Sequence, residues 1–227
     1  MDETSKTKKI WTQFEQSILA GKGVDIGCGP DPVSPTARRF DIEDGDANDI
    51  LSVVDEQFDF VYSSHCLEHM NDPQKALRDW WTLVKPGGYL FLIVPDEDLY
   101  EQGVFPSRFN ADHKATFTIS KARSWSSVSV NVLDLVQSLP GSQLVSIVLH
   151  DHGYDRSKHY RGVDKPTLTT RMLMKGYRWL NTLTLGVIRL QSMDIVRSHF
   201  NVVDQTTQPD VLAQIQCIVR KLHQHTV

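Results

Sequence analysis

Residues Gly23 to Pro32 read GVDIGCGPDP, and no other segment restricts the fold as much. A short apolar run, Val24 and Ile26, carries one acid, Asp25, and breaks at Gly27-Cys28-Gly29-Pro30. A buried parallel strand that ends in a glycine turn has this pattern. Glycine lets bare backbone N–H groups approach a ligand closely, and a following helix would present its positive end. The turn suits a nucleotide-like small molecule. Glycine turns also join strands for structural reasons alone, so the segment by itself does not choose between the two.

The residues that follow add to the ligand reading. Arg39-Phe40-Asp41-Ile42 reads as a second short strand that delivers a carboxylate at its C-terminal end, where an acid can take both hydroxyls of a ribose. Gly45-Asp46-Ala47 offers another acid, and Phe58 to His65 is a further strand opening into the polar Ser63-Ser64-His65. Leu83 to Gly88 reads as a helix end and turn, and Tyr89 to Val94 as an apolar strand closed by Pro95. Apolar residues at helical spacing predict helices over Trp11–Leu19, Pro73–Val84 and Asn131–Leu139, the second capped by Asn71-Asp72-Pro73. Leu144–Leu149 and Ala213–Val219 are β-rich. Alternating strands and helices imply an α/β fold with a parallel sheet covered on both faces.

Three of these segments, VDIGCGP, FDFVYSSHCLEH and LVKPGGYLFLIVP, occur in the order in which this chain resembles the class I S-adenosylmethionine (SAM)-dependent methyltransferases, specifically the type 11 group. The resemblance covers roughly Lys22 to Asp96. It implies a Rossmann-like, doubly wound, mostly parallel seven-stranded sheet with an antiparallel edge strand and a long helical insertion before the last strand. It also implies S-adenosyl-L-methionine as cofactor. Gly27, Cys28 and Gly29 would pass under the methionine portion, with Asp25 beneath the turn orienting the amino group. Asp41, followed by Ile42, would accept the ribose hydroxyls, because a carboxylate can take two hydrogen bonds side by side. Asp46 and the backbone of Ala47 would meet the adenine, and Ser63, Ser64 and His65 would close over the methionine tail. His65 and His113 are the leading candidates for a catalytic base, ahead of Glu68 and His69.

The chain departs from the fuller family pattern in two ways. Asp31 stands where a third glycine often falls, and the short interval from Gly29 to Asp41 leaves little room for a first crossover helix. A nicotinamide-dependent oxidoreductase would want G-x-G-x-x-G, whereas this turn reads G-C-G-P-D-P. A SAM-binding module without turnover is the other alternative. His65-Cys66-Leu67-Glu68-His69 also spells the H-x-x-E-H of inverted zinc peptidases, but His65 is expected to leave a strand before any helix begins. No carboxylate cluster for a divalent ion is evident, and no metal ligand is assigned.

At 227 residues and 40% hydrophobic, the chain can bury one sizeable core, so a single domain over 1–227 is expected. A formal net charge of -4 argues against a nucleic-acid partner. Cys28, Cys66 and Cys217 show no paired spacing, which points to a reducing compartment. With a polar Asp2–Lys9 and no apolar run near the ~20 residues that span a bilayer, a soluble, cytoplasmic protein without a transmembrane segment is expected. Two segments exceed the minimal fold. Tyr100 to Lys121 is rich in polar and aromatic groups and belongs where an acceptor would sit, beyond the strand that ends at Pro95. Asp151 to Gln205 is the long insertion; within it, Arg171–Leu190 reads as a helical lid or a subunit contact, compatible with a homo-oligomer. Arg108, Asn110, Asp112 and Lys114 favour a hydroxylated or phosphorylated acceptor, a small molecule or glycan-type compound, with the methyl going to a hydroxyl or an amine.

Overall fold

The computed structural model describes residues 3–160 and 203–223, together with Met172, Lys175 and Gly176. The chain divides into two compact units, Met1–Gly153 with Thr206–Val227, and Tyr154–Gln205. In the second unit, the Gln205 side chain accepts from Asp155 N at 2.9 Å and donates to Asp155 O at 3.0 Å, tying the two ends of the insertion together. The expected helix over Arg171–Leu190 lies outside the described residues, those three positions apart.

The first unit begins with two short helices, α1 (Glu3–Lys8) and α2 (Gln13–Ile18). Thr12 caps α2, its hydroxyl accepting from Phe14 N while Glu15 accepts from Thr12 N, so orphan amides at the helix start are satisfied. Then come β1 (Gly23–Ile26), β2 (Ala37–Phe40), β3 (Phe58–Ser64), α3 (Pro73–Thr82) and β4 (Val84–Pro95). The remaining elements are β5 (Thr116–Thr118), β6 (Ser129–Asn131), α4 (Val132–Gln137), β7 (Ser142–His150) and β8 (Gln214–Lys221). The main sheet has the order β2-β1-β3-β4-β8-β7, with β2, β1, β3 and β4 parallel and β8 antiparallel to both its neighbours.

This is the expected doubly wound, mostly parallel architecture, with two differences in detail. Six strands of the main sheet are described, and β5 and β6 pair in a small sheet of their own. The antiparallel strand is the last one, as expected, but it lies one place in from the edge, between β4 and β7. Burial explains the position. β8 is buried from Gln214 to Val219, whereas the residues of β7 alternate between partly buried and exposed, as an edge strand allows.

Both faces of the sheet are covered. On one side, Val24, Ile26, Val61, Leu90 and Leu92 pack with Leu77, Trp80 and Trp81 of α3 and with Leu135 and Val136 of α4. On the other, Phe60, Tyr62, Phe91 and Ile93 pack with Ile18, Leu19 and Val33. The helix α3 starts where predicted: Asp72 accepts from Lys75 N at 2.9 Å and Pro73 occupies the first turn. Between β1 and β2 the chain has only residues 27–36, and no helix forms there. The loop is braced from α1 instead: Ser5 donates to Asp31 from its backbone N (2.7 Å) and its hydroxyl (2.6 Å), and Lys8 donates to Pro32 O (3.1 Å).

Candidate functional site

In the strand order, β1 is flanked by β2 on one side and β3 on the other, so connections leave it in opposite directions and a crevice opens at the strand ends. A cleft of about 800 Å³ lies there. Gly27 and Gly29 have φ of 75° and 51°, the left-handed region that only glycine enters freely. A Cβ on Gly27 would stand 2.6 Å from Cys66 Cβ, so nothing larger fits. A Cβ on Gly29 would meet no atom within 4 Å, which leaves that face of the turn open. Asp41 follows β2 and fixes the turn, accepting from Gly29 N at 2.6 Å with one oxygen and from Ile42 N at 2.7 Å with the other. Each carboxylate oxygen keeps a second lone pair for a ligand. Ile42 is 88% exposed on the rim.

Asp46 accepts from Asn48 N and from Asn48 Nδ2, both at 2.8 Å, and caps the short turn Ala47–Ser52. These bonds hold its carboxyl below the usual carboxylate range. Trp80 of α3 donates its indole N–H to Ala47 O at 3.0 Å, which ties this wall of the cleft to the core. Asn71 N donates to the Asn48 side chain (2.8 Å), and Lys114 Nζ to the Asn71 side chain (3.0 Å).

Seven residues expected at a cofactor site line the cleft: Gly27, Gly29, Asp41, Ile42, Asp46, Ala47 and His65. Asp25, Cys28, Ser63 and Ser64 do not line it; all four are buried. Asp25 accepts from Val33 N at 2.6 Å, and burial pushes its carboxyl up to about 7. Ser63 donates to Ile26 O at 3.1 Å. His113 does not line the cleft either. It is buried in ring contact with His69, which does, and its Nδ1 lies 2.7 Å from Glu101 Oε1. Asn48 and Met70 line the cleft without having been singled out in the sequence, and Asn71, which the sequence offers only as a helix cap, lines it too. Asn71 directly precedes the Asp72 cap of α3, after the Leu67–His69 turn that follows β3.

His65 leaves β3 at φ 53°, off the strand and before the short turn Leu67–His69. Burial disfavours its charged form, but Glu68 at 3.5 Å more than offsets this, and with Gln214 at 3.0 Å the imidazole is pushed up to about 9. Burial would raise the Glu68 carboxyl, yet the histidines around it, His65 foremost, hold it below the ordinary range. His69 pairs through Nδ1 with Asp112 Oδ2 at 3.0 Å. Lys114 N donates to Glu68 O at 2.7 Å, which seats the 112–115 segment on this turn.

A doubly wound sheet with a cleft at its switch point, a glycine turn on one side and an acid beyond the next strand, is the architecture of the Rossmann-like class. The chain belongs to the methyltransferases: residues 6–155 match the family model described as a methyltransferase domain. It is similar to a ubiquinone biosynthesis O-methyltransferase of Pseudomonas aeruginosa, 38% identical over 107 residues, which cover 34% of this chain and 46% of that protein. A protein of the same description from Stutzerimonas stutzeri is 29% identical over 119 residues, covering 40% and 51%. The chain thus spans about half the length of the curated relatives it matches. Among solved structures, a SAM-dependent methyltransferase from Archaeoglobus fulgidus superposes with a TM-score of 0.49 at 13% identity, covering 97% of this chain and 95% of that one. Among the described residues, no helix is long and apolar enough to cross a membrane.

Proposed function

We propose that this chain binds SAM in the cleft above β1, β2 and β3 and moves its methyl group to a hydroxyl of a small-molecule or glycan-type acceptor. The cleft itself carries the reading: Gly29 opens the turn on one side, and Asp41 beside it keeps lone pairs for two hydroxyls. Asp41 would hold the ribose, Ile42 would cover one face of the adenine, and Asp46 with Ala47 would meet its edge. His65, kept cationic at neutral pH, has no lone pair to take a proton; it is suited to the carboxylate of the methionine tail.

When bound, SAM supplies an activated methyl on a sulfonium, so the protein's task is chiefly to align two reactants and exclude water. The acceptor would enter against His69, Asp112 and Lys114, which form the polar wall of the same cleft. A cation and a carboxylate on that wall favour a hydroxylated or phosphorylated compound, and the O-methyltransferase description of the relatives supports oxygen as the receiving atom.

Calorimetric titration with SAM and with NAD tests the reading. SAM binds and NAD does not if it is right; nicotinamide binding without SAM binding overturns it. Turnover is then tested with SAM and a panel of hydroxylated acceptors, the product sought by mass spectrometry as a gain of one methylene. SAM affinity without transfer to any acceptor would favour a binding module.

A further inference from the structure

The string His65-Cys66-Leu67-Glu68-His69 does not form a helical zinc motif, because His65 lies off the helical turn. The fold nevertheless gathers a different set. One ligand atom from each of Glu68, His69 and His113 lies within 4.8 Å of the others. We propose that these three residues bind a divalent transition-metal ion of zinc type at the inner end of the cleft.

The first argument is the state of Glu68. Its side chain is 0% exposed, and neither carboxylate oxygen has a hydrogen-bond partner among the described residues. His65 Nδ1 stands 3.5 Å away and His113 Nε2 4.0 Å away, both beyond ordinary hydrogen-bond length. A second carboxylate, Glu101, is buried nearby against His113 and also keeps one oxygen without a partner. Buried carboxylates in this condition carry a large desolvation cost unless a cation compensates them.

The second argument is how the histidines are held. His69 pairs through Nδ1 with Asp112, and His113 pairs through Nδ1 with Glu101. The nitrogen each ring has left to give is Nε2. A carboxylate behind each imidazole, fixing its tautomer and leaving the far nitrogen for an ion, is the usual outer support of metal-bound histidine. Here two rings share that arrangement beside one unpartnered carboxylate. In a tetrahedral zinc site ligand atoms stand about 3.4 Å apart, so side chains that now lie within 4.8 Å of one another would draw inward to close the set.

Two imidazoles and one carboxylate select a borderline ion such as Zn²⁺ or Co²⁺ over Mg²⁺, and three protein ligands leave a coordination position open. Of the three ligands only His69 lines the cleft, so an ion held here would meet the cleft through that residue. Binding of the ion is independent of the proposed methyl transfer. Only its role, making an acceptor hydroxyl easier to deprotonate, rests on that reading.

The test uses tag-free, chelator-stripped full-length protein titrated with CoCl₂ and followed by visible absorption. One equivalent of Co²⁺ is expected to develop the intense d–d bands of a low-coordinate nitrogen-oxygen site. His69→Ala and His113→Ala should each abolish them, and Asp112→Asn and Glu101→Gln should weaken binding about 10–100-fold, as lost outer supports do. His69 is partly exposed, so His69→Ala keeps the test valid if the His113 variant fails to fold, as judged by circular dichroism. Absence of the bands, their persistence in His69→Ala, or displacement of Co²⁺ by an equal concentration of Mg²⁺ would each overturn the site. SAM titrated in parallel separates the two readings. SAM binding with no cobalt signal removes the ion alone, and a cobalt signal with no SAM binding supports the ion while removing the cofactor reading.

Discussion

Asp25 is a carboxylate cut off from water. It is 1% exposed, accepts one backbone bond from Val33, and titrates near 7 because burial disfavours its charge. In the unfolded chain the same group titrates near 3.8, so between those values the folded state holds a proton that the unfolded state has released. Its contribution to stability is therefore full below about pH 4 and is lost as pH rises through about 7, a swing on the order of 4 kcal/mol. Asp25→Asn keeps an acceptor for Val33 N and removes the titration. Urea unfolding at pH 5 and pH 8 should show the variant gaining on the wild type at the higher pH. An equal difference at both values would mean that Asp25 is solvated. Asp41 is the opposite case, an acid on the open cleft. Asp41→Ala should weaken SAM binding by about 1–3 kcal/mol, the cost of losing charge-assisted hydrogen bonds, read by calorimetry. Unchanged affinity would remove it from the site. The sequence exposed Asp41 through its place after a strand, but it could not show that Asp25 faces the core. That depends on Val33, eight residues on, folding back over it.

Elements were legible where apolar periodicity marks them. The helix α3 presents Ala76, Leu77, Trp80 and Trp81 to the core behind an Asp-Pro start, and both signals stand in the sequence. The helix α1 was not legible. Its buried residues are Thr4, Lys6 and Thr7, held by contacts such as Gln214 to Thr7 (2.9 Å) and Lys6 to Thr206 O, and polar burial leaves no periodic trace. The sequence offers His113, in a polar loop, as a candidate catalytic base. What withdraws it is Glu101, on a single π-helical turn capped by Asp96 and invisible to pattern reading. The contribution of α3 to the cleft is the Trp80 indole bond to Ala47 O. Trp80→Phe keeps most of the apolar volume and deletes that donor. A stability loss of about 1 kcal/mol or somewhat more is expected, with SAM affinity reduced several-fold because the Ala47 wall loosens. Thermal melts and calorimetry on one preparation check this; an unmoved affinity would show that the wall holds without its anchor.

At the scale of the whole molecule, a parallel pair usually needs a crossover of a dozen or more residues, most often helical, and here β1 and β2 are joined by residues 27–36 without one. The sequence disclosed the shortage, since Gly29 and Asp41 stand so close. It did not disclose the substitute, because the compensating residues lie near the start of the chain: Ser5 on Asp31 and Lys8 on Pro32 O. The turn that lines the cleft is thus braced from behind by α1, across the sheet's end. Order in that turn then depends in part on Ser5 and Lys8, neither of which lines the cleft. Ser5→Ala combined with Lys8→Ala removes two side-chain braces and leaves the apolar core intact, so the melting temperature should change little. Amide exchange at residues 28–33 should accelerate, and SAM binding should weaken, since the ligand must then order a looser turn. Hydrogen exchange with and without SAM reads both effects in the same peptides. Unchanged exchange in the double variant would mean that the Asp25–Val33 bond and the Asp41–Gly29 bond hold the loop alone, and that α1 only packs against it.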